Sequence, residues 1–279
     1  MARFALFALP LLLAIACGED APATEPDLGT DAPDEGVPDQ GAPDEGAPDE
    51  GTADPRCEAG TSHVVTFTTS DAVTLEADLQ VAAAGGPAAI LFHMIPPSND
   101  RRGYPLAFRE ALRDAGMTVL NVDRRGAGGS GGVATEAYQG FTARIDAAAA
   151  TDFLASLPCA PDPSRLAFVG ASNGTTTVLD HALWTEGRPA ASPASIVFMS
   201  GGLYTESQNS IPANQAFLGT IPMLYLYPSS ESAWNEARAE LGVEGWSFDE
   251  YAPGAHGTRL FDSDAEAVTA RILAHLASL

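Results

Sequence analysis

The chain has 279 residues and a formal net charge of −23, from 37 Asp and Glu against 14 basic residues, every one of them Arg. That balance argues against a nucleic-acid or anionic-lipid surface, which needs clustered positive charge. Gly and Pro at 27 and 21, with only 3 Cys, exclude collagen-like, coiled-coil and disulfide-rich classes. With 45% hydrophobic residues, the part after residue 56 can bury the core of one mid-sized domain.

In chain order, the first predicted element is an address. Arg3 precedes the apolar run Phe4–Ala16, which has the form of a secretory signal and is too short to cross a bilayer. The run ends Leu13-Ala14-Ile15-Ala16-Cys17, which resembles a bacterial lipobox. The resemblance implies that residues 1–16 are removed, that Cys17 carries lipid, and that the remainder lies outside the cytoplasm. An ordinary cleaved signal with Cys17 near the cut is the alternative. Gly18 in place of Asp favours the outer membrane by the usual sorting logic.

Residues 17–56 form the next segment, a tether. It contains four five-residue units: Ala32–Gly36, Val37–Gly41, Ala42–Gly46 and Ala47–Gly51, each with Pro-Asp at its centre. Such a chain has little to bury and repels itself, so disorder is expected. No spacing of its carboxylates matches a calcium loop. Cys57 opens the folded part and Cys159 lies in a Pro-rich loop; in an oxidising compartment they are a possible disulfide, with two free thiols as the alternative.

Residues 57–279 alternate strand-like and helix-like runs. Val64–Thr69 and Val73–Val81 predict a hairpin around Ser70-Asp71. Strands are then expected at Ala88–His93, Met117–Val122, Arg165–Gly170, Ser195–Ser200, Ile221–Tyr227 and Trp246–Tyr251. Helices are expected at Leu106–Ala115, Phe141–Leu157, Asn173–Leu183, Glu231–Leu241 and Asp264–Leu279. Apolar strands without alternation, each followed by a helix, predict an α/β fold: a mostly parallel sheet covered on both faces, with an antiparallel N-terminal edge.

One motif carries chemistry. Gly170-Ala-Ser172-Asn-Gly174 joins an apolar strand to a helix, and a turn that tight needs small flanking residues. Ser172 is then lifted to a helix N-terminus, where free N–H groups favour a developing oxyanion. This chain resembles the α/β-hydrolase superfamily, the serine hydrolases that include esterases, lipases and dienelactone-hydrolase-like enzymes. The resemblance runs from about His63 to Leu279. It rests on Leu91-Phe-His93-Met-Ile-Pro-Pro97, Asp123-Arg-Arg-Gly126-Ala-Gly128-Gly-Ser130-Gly, Gly170-Ala-Ser172-Asn-Gly174, and Pro253-Gly-Ala-His256-Gly257.

The resemblance implies a triad in the order Ser, acid, His, without a large lid. His256 is the expected base, in a Gly-rich loop after the last strand. His63, His181 and His275 fit packing or surface positions, and His93 is expected to order the oxyanion loop. The family's acid is usually Asp after the strand at Ile221–Tyr227; this chain has Glu231 there, with Glu206 in reserve. The oxyanion donors would be the Asn173 amide and that of Ile95, with Met94 as the alternative. Gly126-x-Gly128-x-x-Gly131 also fits a dinucleotide fingerprint, but no helix follows directly and no ribose-binding acid is placed after it. No cofactor is expected. No metal-ligand spacing occurs either.

The expected function is hydrolysis of small ester substrates through an acyl-enzyme. Leu203, Tyr204, Phe217 and Trp234 are candidates to line a short, open pocket. A peptidase or acyltransferase using the same triad, or an inactive surface-binding module, are the alternatives. The expected partners are a small-molecule acyl substrate and, through the anchor at Cys17, a membrane of the cell envelope, with no nucleic acid.

Overall fold

The computed structural model describes residues 53–138 and 140–279. The expected signal, the repeats and Cys17 lie outside the described residues. Eight strands form one sheet: β1 Ser62–Thr68, β2 Thr74–Gln80, β3 Ala88–Phe92, β4 Thr118–Val122, β5 Leu166–Ala171, β6 Ser195–Met199, β7 Met223–Pro228 and β8 Trp246–Tyr251. Among the described residues six α-helices accompany them: α1 Leu106–Asp114, α2 Gly140–Ser156, α3 Gly174–Thr185, α4 Gln215–Leu218, α5 Ser232–Ala239 and α6 Leu260–Leu276.

The strand order is β1-β2-β4-β3-β5-β6-β7-β8, antiparallel across β1, β2 and β4 and parallel from there on. Burial separates the inner strands from the two edges, β1 and β8. β3, β4, β5, β6 and β7 are buried at every position, as strands covered on both faces must be. β1 alternates between core and solvent. Along the inner strands, successive residues feed opposite layers. Ile90, Phe92 and Phe168 pack with Phe153 of α2 and Val178 of α3. Ala89, Leu91 and Val169 pack with Phe108 of α1 and Ile272 of α6. Truncating a side chain such as Leu91, which is fully buried, to Ala typically costs about 2–5 kcal/mol.

Cys57 and Cys159 are bonded, with Cα atoms 5.5 Å apart. Their disulfide ties the start of the domain to the loop before β5. A short turn already begins at Pro55, where the Asp54 carboxylate accepts the Arg56 amide at 2.9 Å. The tether expected through residue 56 therefore ends in an ordered turn. The closing helix differs from expectation. It begins at Leu260 rather than Asp264, and Asp264 breaks it with φ −157° and ψ 70°. Asp264 accepts the Ala267 amide at 3.1 Å and so starts the second part, which is the start the sequence pattern marks.

From β3 the chain moves to β4 on one side, and from β5 it moves to β6 on the other. Their following helices, α1 and α3, lie on opposite faces. A crevice opens at such a reversal, beyond the C-terminal ends of the strands.

Candidate active site

Ser172 follows β5 at that crevice, and its backbone has φ +50°, uncommon for a residue with a Cβ. The glycines around it answer to space. A Cβ at Gly170 would lie 2.7 Å from Gly174 O, and one at Gly174 would lie 2.3 Å from Phe92 O. The bend is closed by Ser172 N–H donating to Met199 O at 2.8 Å and by Thr175 N–H donating to Ser172 O at 2.9 Å. Helix α3 starts at Gly174, so Asn173 sits at its first free amides.

His256 lies in the loop between β8 and α6. Its Nε2 accepts the Ser172 hydroxyl at 2.7 Å, and its Nδ1 donates to Glu231 Oε1 at 2.5 Å. Glu231 ends the short turn that follows β7, and Asn235 Nδ2 donates to its carbonyl at 3.0 Å. Three loops from three strand ends thus bring Ser172, His256 and Glu231 into one relay. Glu206 stands exposed after β6. Of the other histidines, His63 bonds Thr61, His181 stacks on Phe168, and His275 bonds Ser195.

Two residues that sequence reasoning passed over complete the relay's support. Ser200 is fully buried at φ +56°, and its Oγ accepts Gly257 N–H at 2.8 Å, anchoring the His256 loop. The other, Arg124, is fully buried and donates to Asn173 Oδ1 at 2.9 Å. Tyr204 donates its hydroxyl to Ser200 O, lies edge-on to His256 with centroids 6.4 Å apart, and has its hydroxyl beside Ser172. Burial pushes its phenol pKa up. Of the other candidate pocket-lining residues, Leu203 is exposed, while Phe217 and Trp234 pack against the core.

The loop after β3 supplies the other wall. His93 is fully buried, its Nδ1–H donates to Met94 O at 2.8 Å, and its Nε2 accepts the Arg124 amide at 2.9 Å. Burial, reinforced by the Arg124 charge, lowers its pKa to about 3, so the ring is neutral with its proton on Nδ1. Met94 is buried and Ile95 is exposed toward solvent. A Cβ at Gly257 would lie 2.5 Å from Met94 Sδ, so this loop and the His256 loop touch.

The Gly-rich loop 126–131 is closed on itself and on β2. Gly126 N–H donates to Gly131 O at 2.7 Å, Gly131 N–H to Thr74 O at 2.8 Å, and Gly129 N–H to Asp123 Oδ2 at 2.9 Å. Those amides are engaged by the protein itself rather than presented to a phosphate. Among the described residues, no group of three or more His, Cys, Asp or Glu side chains is gathered to hold a metal ion.

No protein-family model and no curated protein matches the sequence. Solved structures do match in fold. An esterase from Pyrococcus furiosus aligns over 77% of this chain and 90% of its own, with a TM-score of 0.60 and 18% identity. An α/β-hydrolase from Penicillium aligns over 77% and 98%, with a TM-score of 0.59 and 15% identity. A dienelactone hydrolase from Anabaena variabilis aligns over 77% and 95%, with a TM-score of 0.56 and 17% identity. With eight strands in this order and helices on both faces, the chain has the α/β-hydrolase fold.

Proposed function

We propose that this protein is a serine hydrolase that cleaves small carboxylic esters through an acyl-enzyme. The observation that carries the reading is the continuous relay Glu231–His256–Ser172, with contacts of 2.5 and 2.7 Å. Ser172 Oγ attacks the ester carbonyl carbon as its proton passes to His256 Nε2, and the carbonyl π pair moves to oxygen. The imidazolium, held by Glu231, then gives that proton to the alcohol oxygen as the C–O bond breaks. Water repeats the sequence on the acyl-enzyme, releasing the acid and restoring Ser172. The Asn173 and Ile95 amides are the donors for the oxyanion, the former at the start of α3.

A short connection between β6 and β7 favours small substrates, because it carries only a brief turn and α4 rather than an inserted lid. The same relay would serve a peptidase or acyltransferase, and a substrate panel separates these from an esterase. A non-catalytic module would require a broken relay, which the 2.5 Å contact of Glu231 with His256 disfavours. Lipid attachment at Cys17 and placement in the cell envelope belong to the same proposal. The Cys57–Cys159 disulfide supports export, since such bonds persist in oxidising compartments.

The test is labelling by a fluorophosphonate probe together with turnover of a short-chain chromogenic ester. Wild type is expected to label and turn over, and Ser172→Ala to do neither. An unlabelled wild type, or equal labelling of Ser172→Ala, overturns the assignment. Metabolic incorporation of a fatty-acid probe that survives Cys17→Ala would overturn the anchor.

A further inference from the structure

Arg124 is fully buried. Its guanidinium hydrogen bonds, among the described residues, all end on neutral acceptors. Nη1 donates to His93 O and Met94 O, both at 3.3 Å. Nη2 donates to Ala137 O at 2.5 Å and to Asn173 Oδ1 and Thr177 Oγ1, each at 2.9 Å. A buried guanidinium without a carboxylate in contact is expensive, and an apolar side chain could fill the same volume. Burial lowers its pKa only to about 10, so the cation persists at neutral pH.

Three of these five acceptors, His93 O, Met94 O and Asn173 Oδ1, belong to the two segments where oxyanion donors are expected. Met94 O belongs to the peptide unit whose N–H is that of Ile95. A donor on the oxygen of a peptide strengthens the N–H at its other end, because hydrogen bonds in a chain polarise one another. The same oxygen receives His93 Nδ1–H at 2.8 Å, so two donors fix the plane of that peptide. Asn173, whose amide is the other expected donor, is held through its side-chain oxygen.

We propose that Arg124 is a positioning residue of the oxyanion hole: from behind the crevice it orients the Met94–Ile95 peptide, strengthens the Ile95 N–H as a donor, and ties that loop to Asn173. The inference rests on the hydrolase reading above. Its effect belongs to the transition state, where charge collects on the former carbonyl oxygen, and not to the bound ester.

The test uses the full chain and a matched pair of substrates, a short-chain oxoester and its thionoester. Sulfur accepts hydrogen bonds weakly, so the thionoester draws little from an oxyanion hole. Arg124→Gln is expected to lower kcat on the oxoester by about 10- to 100-fold with KM near wild type, less than the ~10²–10³ for outright loss of a donor. On the thionoester the loss should be several-fold smaller, and Arg124→Lys should recover part of the oxoester rate. Equal losses on both substrates, or a change in KM alone, overturn the proposal. Should Arg124→Gln fail to fold, Thr177→Val removes a single acceptor of the guanidinium. It is then expected to lower the oxo-to-thiono rate ratio about twofold to fivefold, and an unchanged ratio overturns the proposal. Fluorophosphonate labelling of wild type separates the two failures: an unlabelled wild type ends the hydrolase reading itself. A labelled wild type with an unchanged ratio in the variant ends only the role of Arg124.

Discussion

Near the end of β4, Arg125 and Arg101 meet carboxylates on several sides. Arg125 bonds Asp146 and Asp71 at 2.8 Å each, and Arg101 bonds Glu76 at 2.7 Å, Asp78 at 2.9 Å and Asp123. At the neighbouring crevice the pattern reverses. Arg124 meets only neutral acceptors, and Arg124 Nε, Asn173 Nδ2 and Glu231 Oε2 are buried without a partner among the described residues. Two buried serines there, Ser172 and Ser200, hold left-handed backbone. Paired charges cancel each other's fields and bind loops to the sheet. Unmatched groups and strain cost stability, and on the hydrolase reading proposed above they leave field and donors for the reacting atom. The ionic hub should therefore answer to substitution in stability, and the crevice in turnover.

The largest expected effect would break this comparison most decisively if it failed. Glu231→Gln should lower kcat by about 10³–10⁴-fold, because an amide stabilises neither the required tautomer nor the imidazolium. Its melting temperature should stay near that of wild type. If Glu206→Gln lowers kcat by as much instead, the acid is not Glu231.

On the hub side, Arg125→Met strands a fully buried Asp146 and should cost about 3–5 kcal/mol in denaturant unfolding. Adding Asp146→Leu should recover most of that loss. Turnover per folded molecule should be unchanged in both, and a large fall in kcat would erase the distinction between the regions.

Ser200→Ala sharpens the boundary, since Ser200 supports the crevice without entering the relay. Losing the partner of Gly257 N–H should cost about 1–3 kcal/mol, and turnover should fall several-fold as the His256 loop loosens. Unchanged kinetics would mean that the loop is held elsewhere.

The smallest effect is in the pH dependence of stability, where the two regions should separate by window. His93 and His181 have pKa values lowered by burial to about 3 and about 4. Both are neutral in the fold, so the unfolded chain takes up more protons as pH falls below 6.5. Their contribution is complete above 6.5 and is lost as pH falls toward 4. Asp71, held down to about 2 by Arg125, loses its contribution only below its ordinary 3.8. Relative to wild type, His181→Leu should therefore make unfolding free energy fall less steeply between pH 6.5 and 4 while leaving the Asp71 window below 3.8 unchanged.

Much of the fold was legible because its signals are local. Ala88–Phe92, Leu166–Ala171 and Ser195–Met199 are short apolar runs without alternation, and each forms a fully buried parallel strand. The elbow was legible because small residues around Ser172 leave few other uses for that spacing. The start of α6 was misplaced because Asp264 carries a helix-start signal that belongs to the second half of a broken helix. Helix α4 was missed, since four residues show no period. At the site, the sequence put Glu231 ahead of Glu206 and Ile95 ahead of Met94 by their place in the family pattern, with no distance behind that order.

Arg124 and Arg125 mark the limit most clearly. They are neighbours in one motif with the same side chain, and nothing in their order distinguishes them. Sequence alone determined the strand–turn–helix that lifts Ser172, the candidate base, and the alternation that sorts the sheet's edge from its middle. Tertiary structure alone decided that Arg125 faces carboxylates while Arg124 faces the carbonyl behind Ile95, and that Glu231 rather than Glu206 reaches His256. The reason is physical: propensity and periodicity act over a few residues, whereas a side chain's electrostatic partners are set by which strand ends the sheet brings together.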